Sequence, residues 1–496
     1  MTAAAGPGRK AASDRKTPPD RKTASDRKTA SDRKILPDRA FLDRPMTSLH
    51  LILVSSGLLL GIGLVMVLSA SMVQSYVDFG SAYGVFKKQL MWVVIGLPVF
   101  WLGLRLPPRA YHGLAYPALL VCVLALAVVL VPGLGVLVHG SRRWIDIGPL
   151  QLQPSEPAKL AFLLWGAAVL VRRDRVLGAW KHLLVPLVPV ACLVTGLIML
   201  EPDLGTTLCF VLILFGLLWT AGAPFRLFGT MLAGAAGAVL LLILVEPYRM
   251  ARLTSFLHPF ADSGNSGYQA VQGLYGLASG GWLGVGLGQS RQKWGLLPNA
   301  HTDYIFAIIG EELGLVGCLV VLALFATLAY AGMRVARRSS DPYCRLVAGA
   351  GTVWLVGQAV INMGYVTGLL PVTGIPLPLI SAGGTSLVVT LLALGMLASF
   401  ARHEPAAAAY LAARGPSRLA RWLRLPAPKP YLPRRPARRP AARRPGTARP
   451  PGGQPAPRRR GQPPGATVPV RTPRPARTAP GQRLRATGTD GRPRQR

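Results

Sequence analysis

The sequence predicts an all-α integral membrane protein with ten transmembrane helices, a large extracytoplasmic loop between helices 7 and 8, and disordered cytoplasmic tails. Three observations predict this class. The 496 residues have a mean hydropathy of +0.36 and are 51% hydrophobic, which excludes an ordinary soluble globule. Apolar runs of about 15–28 residues recur between 49 and 401, close to the length a helix needs to cross a bilayer. The polar stretches between them alternate in Lys/Arg density, as the positive-inside rule requires.

Taken in order, residues 1–48 form a basic tail with a hexad repeat, in which Asp14, Asp20, Asp26, Asp32 and Asp38 are evenly spaced. That period fits neither a helix face nor a strand face, and the segment has little apolar surface to bury, so disorder is expected. The membrane domain, 49–401, follows without a cleavable signal peptide, so its first span reads as a permanent anchor. The spans centre near Leu60, Val94, Leu124, Leu164, Pro189, Ile213, Val239, Val321, Val356 and Ala393. Two of them, around 157–171 and 386–401, are short and need help from flanking residues. With the N-terminus in the cytoplasm, the inner loops 105–112, 172–182, 222–226 and 333–345 are about four times denser in Lys/Arg than the outer loops. The outer loops then include 246–303, far longer than a usual connection. Residues 402–496 form a Pro/Arg-rich tail, also expected to be disordered.

The formal charge of +36 sits mostly in the tails; 402–496 alone carry 24 Arg or Lys against Glu404 and Asp490. No aromatic-studded basic fold accompanies these residues, so nucleic acid is not the expected partner. Polybasic tails beside membrane spans suit anionic membrane lipid. The 5 cysteines lie in or beside apolar runs without metal-ligand spacing and read as small buried hydrophobes.

Residues fit for chemistry cluster in a few polar stretches. The segment 298–314, PNAHTDYIFAIIGEELG, places His301, Thr302 and Asp303 at the mouth of a span and sends Glu311 and Glu312 into it. Ionisable groups in a span are costly and need a reason. Asp303 reads either as a helix cap or as a general base toward a sugar hydroxyl. In QPSEPAKL, 153–160, Glu156 and Lys159 lie three apart on one helix face, as a structural ion pair or with Lys159 free to meet a phosphate. Asp203, in the Pro/Gly turn EPDLGT, suits a cap of the next span. Arg142, Arg143, Arg249, Arg252, Arg291 and Lys293 fall in outer loops, where the charge rule disfavours cations; they suit lipid headgroups or a diphosphate. The run 368–386, rich in Pro and Gly, reads as an irregular, cavity-lining element.

Together these motifs resemble the FtsW/RodA/SpoVE (SEDS) family of bacterial cell-wall polymerases. The resemblance covers about 50–401 and rests on VLSASM, GVFKKQLMW, GSRRWIDIGPLQLQPSEPAKL, EPDLGT, LPNAHTDYIFAIIGEELG and GLLPVTGIPLPLISAGGTS, in that order. It implies ten spans and a peptidoglycan glycosyltransferase that polymerises lipid II and releases undecaprenyl diphosphate. The Asp of the family's His-Thr-Asp motif, here Asp303, is implied as the catalytic carboxylate. Glu156, Lys159, Asp203, Arg142, Arg143, His301, Arg291 and Lys293 are expected to support it or bind substrate, with Mg2+ or Mn2+ as a cofactor. Implied partners are a class B penicillin-binding transpeptidase and other divisome proteins. Segment 254–281 looks more like the division branch than the elongation branch, which implies a bacterial inner-membrane protein at the septum. The alternatives are an elongation polymerase and a lipid II flippase that needs no base at Asp303. The chain departs from the family at His139, Gly295 and Ala382, where Asn, Glu and an aromatic are common; Gly295 leaves no helper carboxylate at that position.

Overall fold

The computed structural model describes residues 43–138, 141–148, 150–172, 180–245, 256–258, 260, 267–415, 417–429 and 431. The expected disorder of 1–42 and 432–496 lies outside the described residues, as do His139, Arg249 and Arg252.

Helices α1 (Thr47–Phe79), α2 (Gly84–Arg105) and α3 (Pro108–Val129) open the fold. Strands β1 (Val136–Val138), β2 (Ser141–Ile147) and β3 (Leu150–Leu152) follow, then α4 (Ser155–Arg172), α5 (Trp180–Leu200), α6 (Leu204–Thr220) and α7 (Phe225–Val245). Helices α8 (Tyr268–Ser279), α9 (Ile305–Arg338), α10 (Pro342–Val366) and α11 (Gly384–Arg402) complete the bundle. Two short helices close it, α12 (Pro405–Arg414) and α13 (Arg418–Trp422). Helices α1, α2, α3, α9, α10 and α11 are each long and apolar enough to cross a membrane. The Leu187–Leu200 part of α5 and α6 itself are shorter apolar helices.

Helix starts follow the local chemistry. Asp341 accepts from the Tyr343 amide at 2.9 Å and caps α10, and Asp203 does the same for α6 through Thr206. Pro108 and Pro342 sit at first-turn positions, where a missing N–H costs nothing. Helix α4 is the centre of the bundle: every residue from Ser155 to Leu170 except Pro157 is buried. A helix buried all round needs no polar face, which is why its sequence is apolar beyond its first turns. Helix α2 lies along α11, α9 against α1 and α10, and α10 against α6. Gly103 and Gly395 let the α2 and α11 backbones approach; a Cβ on Gly395 would lie 2.3 Å from the Phe100 oxygen.

The structure departs from the sequence expectation in three places. The chain is not all-α: β1, β2 and β3 form a three-stranded antiparallel sheet, with Leu137 opposite Arg142 and Asp146 opposite Gln151. Short polar–apolar stretches separated by Gly and Pro favour hairpins over an open loop. The long connection 246–303 carries a helix near its middle, α8, which packs on α9. Nor does folded structure end at 401. Tail residues through 431 carry α12 and α13, and Trp101 Nε1 donates to the Leu423 oxygen at 2.9 Å. Ala407, Ala408 and Leu425 supply the apolar contact that the surrounding Pro and Arg conceal.

Candidate active site

A cavity of about 490 Å³ opens where the first turns of α2, α4, α6 and α11 meet the segment leading into α9. Each helix N-terminus carries a partial positive charge, so the convergence favours an anion even though first-turn amides of α6 and α2 are already bonded to Asp203 and Ser75. The cavity wall includes Arg143, Glu156, Lys159, Asp203, His301 and Asp303. It also includes Asp78, Lys88, Gln89 and Trp92, and the irregular segment around Gly374–Pro376.

The His-Thr-Asp segment is fixed through its main chain. The His301 oxygen accepts from the Ala382 amide at 3.0 Å and the Thr302 oxygen from the Ser381 hydroxyl at 2.6 Å. The Asp303 oxygen accepts from Asn362 Nδ2 at 3.0 Å. Three successive carbonyls are thus held by α10 and the irregular segment before α11, and the side chains are left to face the cavity. Gln89 extends the scaffold by accepting from the Gly383 amide at 3.2 Å. Burial lowers the His301 pKa from its ordinary value, with Asp78 opposing the shift, so the imidazole is neutral near pH 7.

Lys159 and Glu156 form a buried pair at 2.8 Å, only 1% and 4% exposed. The Lys159 ammonium also lies 5.5 Å from the centre of the Trp354 ring. Asp203 accepts from the Thr206 amide at 2.9 Å and hydroxyl at 2.8 Å, and from Gln153 Nε2 at 3.3 Å. Arg143 reaches across from β2, with its Nη1 3.8 Å from Asp203 Oδ2 and its Nε donating to the Glu201 oxygen at 2.8 Å. Asp203 is therefore both the α6 cap and the anchor of Arg143.

Three cations expected near the substrate lie elsewhere. Arg142 pairs with Leu137 in the sheet and is not part of the cavity wall. Arg291 is exposed, and its amide donates to Glu311 Oε1 at 2.9 Å. Lys293 is buried, with its ammonium 3.7 Å from Glu312 and donating to the Gly288 oxygen. These two residues belong to a polar knot that ties the segment 288–293 to α9 and, through Ser69, to α1. Lys88, Gln89 and Trp92 had no such signal as site residues. GVFKKQLMW contributes to the family resemblance, but only the packing of α2 on α11 brings it to the cavity.

Residues 49–406 match the family described as cell cycle protein, FtsW/RodA/SpoVE. The chain belongs to the FtsW/RodA/SpoVE family. It is 48% identical over 456 residues to the probable peptidoglycan glycosyltransferase FtsW of Mycobacterium tuberculosis, covering 92% of this chain and 83% of that one. Stage V sporulation protein E of Bacillus subtilis is 38% identical over 356 residues, covering 71% of this chain and 97% of that one. Among solved structures, a chain of a peptidoglycan synthase complex that coordinates polymerisation and crosslinking superposes with TM-score 0.59 at 30% identity. Thermus thermophilus RodA, a rod shape determining protein, superposes with TM-score 0.54 at 29% identity. The shares covered are 71% of this chain in both cases, and 97% and 96% of those chains. The family match covers the helical bundle around the cavity, and the 456-residue match to the Mycobacterium tuberculosis relative extends into the tails.

Proposed function

We propose that this chain is the peptidoglycan glycosyltransferase of cell division, a multi-pass inner-membrane enzyme that polymerises lipid II into glycan strands and releases undecaprenyl diphosphate. The observation that carries the chemistry is one cavity holding Asp303 together with Lys159, Arg143 and several helix N-termini. The 48% identity to relatives named FtsW favours division over elongation.

In this reading Asp303 takes the proton of the acceptor 4-hydroxyl. The freed oxygen attacks the donor anomeric carbon with inversion, and the bond to the diphosphate breaks with its electron pair leaving on undecaprenyl diphosphate. Lys159, Arg143 and the helix N-termini neutralise the charge that grows on the departing oxygen. Glu156 orients Lys159, Asp203 orients Arg143, and neutral His301 offers a hydrogen bond without competing for the diphosphate. Arg142 and Arg291 meet substrate only along the approach to the cavity, and Lys293, buried against Glu312, is structural. Among the described residues, no group of three His, Cys, Asp or Glu side chains could hold a metal. A Mg2+ or Mn2+ ion therefore enters this proposal only as a companion of the diphosphate, and no step is routed through it.

The arrangement in the membrane completes the proposal: ten spans (α1–α7 and α9–α11), both termini in the cytoplasm, and the cavity toward the outer face at the septum. The partner is a class B penicillin-binding transpeptidase within the divisome, with the basic tails held near anionic lipid. The test is polymerisation of labelled lipid II by the purified complex, wild type against Asp303→Asn. A glycan ladder lost in the variant supports the reading, with a rate lower by about 10²–10⁴ for loss of a general base. A variant that polymerises like wild type overturns the role of Asp303. A folded wild-type complex that makes no polymer but equilibrates lipid II across liposomes overturns the enzyme in favour of a flippase.

A further inference from the structure

A second cavity, of about 610 Å³, lies at the opposite end of the bundle. Helix α2 connects the two: Gln89 lines the first cavity and Arg105 the second. The 16 residue steps between them span about 24 Å at the α-helical rise, close to the thickness of the hydrocarbon core. The second cavity is thus at the far membrane interface from Asp303, and none of the chemistry above uses it.

Its walls are apolar, from Leu102 and Leu106 of α2 and its end to Phe400 of α11. Its rim is cationic. Arg105 and Arg109 project from the α2–α3 turn, and Lys429 comes from the segment that follows α13. Asp341 is the one carboxylate of the lining, and it is engaged as the α10 cap. Among the described residues, no ion pair involves Arg105, Arg109 or Lys429. The Arg105 guanidinium stacks 5.2 Å from the centre of the Trp101 ring, an amphipathic residue suited to an interface. The segment carrying Lys429 is pinned by two carbonyls, Leu423 to Trp101 Nε1 at 2.9 Å and Pro426 to Arg402 Nη2 at 2.8 Å. It therefore forms one wall of a standing site.

An apolar chamber of this size, with three cations at a membrane interface that form no ion pair among the described residues, complements a molecule with an acyl body and a phosphate head. We infer that this cavity binds one anionic diacyl phospholipid, with its headgroup phosphate held by Arg105, Arg109 and Lys429. The strap after α13 then acts as part of a lipid-binding pocket, and the sequence of the tail up to 431 is selected to build it.

The test is native mass spectrometry of the full-length protein from a micelle, titrated with phosphatidylglycerol and, separately, phosphatidylcholine of identical chains. Phosphatidylglycerol is expected to add one tightly held molecule that phosphatidylcholine does not match. The triple variant Arg105→Gln, Arg109→Gln, Lys429→Gln should bind it at least about tenfold more weakly, given the worth of each basic residue at an anionic headgroup. A control neutralising Arg434, Arg435 and Arg438, which removes the same charge from the tail sequence, should leave the adduct intact. Equal binding of the two lipids by wild type, or equal losses in both triple variants, overturns the proposal as general charge attraction. Preference for undecaprenyl phosphate over phosphatidylglycerol also overturns it, because the occupant would then be a carrier lipid. The wild-type comparison needs no variant, and all substituted residues named for the site are exposed, so folding does not decide the outcome.

Discussion

The hydroxyl of Tyr365 lies 2.8 Å from the main-chain oxygen of Asp303 and 2.9 Å from that of Ile375. The same two oxygens accept from Asn362 Nδ2, at 3.0 Å and 2.8 Å. A Tyr–Asn pair on the last turns of α10 thus clamps the segment bearing the proposed base to the irregular wall opposite. A positioning role predicts graded losses. Tyr365→Phe removes one donor while the Asn362 amide remains, and polymerisation should slow by about tenfold, the worth of one hydrogen bond. Asn362→Ala removes both amide donors, leaves the single Tyr365 hydroxyl proton for two oxygens, and should cost about 10²-fold, because small misplacements of a base are expensive. Initial rates on labelled lipid II measure both, with thermal melts showing that the variants are folded. Wild-type rates in folded Asn362→Ala would end the positioning argument.

The Glu156–Lys159 pair makes a different prediction because it is buried. Removing one partner leaves an uncompensated charge, so Glu156→Gln or Lys159→Met alone should destabilise by about 3–5 kcal/mol. The double variant should recover much of that stability, since two neutral side chains replace two charges of similar volume. Activity should not recover, because Lys159 is needed by the diphosphate. Denaturation midpoints and polymerisation rates across the four proteins form the cycle. Recovery of both would make the pair purely structural.

Glu201 carries a pH signature. It is fully buried, and both carboxyl oxygens lack a hydrogen-bond partner among the described residues. Burial first, then the Asp203 charge, pushes its pKa up to about 8 against the opposing pull of Arg143. The folded state therefore holds a proton that the unfolded chain loses near its usual pKa of about 4.3. That stabilisation is complete below this value and declines as pH rises toward about 8, by at most about 1.4 kcal/mol per pH unit. Glu201→Gln mimics the neutral acid and should remove the slope. Its melting temperature should match wild type at about pH 4 and below and exceed it at pH 8.5. Parallel pH profiles would show that Glu201 is charged, or is solvated, in the folded protein.

What was legible in the sequence divides along physical lines. Signals confined to one or two helical turns were readable: the three-residue spacing of Glu156 and Lys159, the Pro/Gly turn capped by Asp203, and the polar mouth at Asp303. Their convergence on one cavity was not, since it depends on how four helix starts are placed by packing. The outer-loop cations show the same limit. Arg143 and Lys293 are alike as sequence, yet one reaches Asp203 while the other is drawn to Glu312. The tail through 431 was misleading for a compositional reason: its Pro and Arg content resembles disorder, and the few apolar contacts that dock it are scattered.

The break in α9 supplies a stability prediction with an internal control. Gly314 adopts φ 66°, ψ −165°, a region essentially closed to side chains, and interrupts the helix just after Glu311 and Glu312. The gap is filled by another part of the chain. The Val285 amide donates to the Glu311 oxygen at 2.9 Å and the Leu315 amide to the Gly281 oxygen at 2.9 Å, replacing helical bonds lost at the break. A Cβ on Gly314 would lie 2.4 Å from the Gly284 nitrogen and 2.5 Å from the Trp282 oxygen, both main-chain atoms with nowhere to go. Gly314→Ala should therefore cost the backbone strain of about 1–3 kcal/mol and, in addition, expel the 281–286 segment from the break. Gly57, in the interior of α1, has nothing within 4 Å of its Cβ position, so Gly57→Ala should be neutral or stabilising by up to about 1 kcal/mol. Melting temperatures of the two variants, with limited proteolysis across 281–297, separate the effects. A Gly314→Ala protein as stable and protease-resistant as Gly57→Ala would mean that α9 runs straight and that the loop is held by the side chains of Glu311 and Glu312 alone.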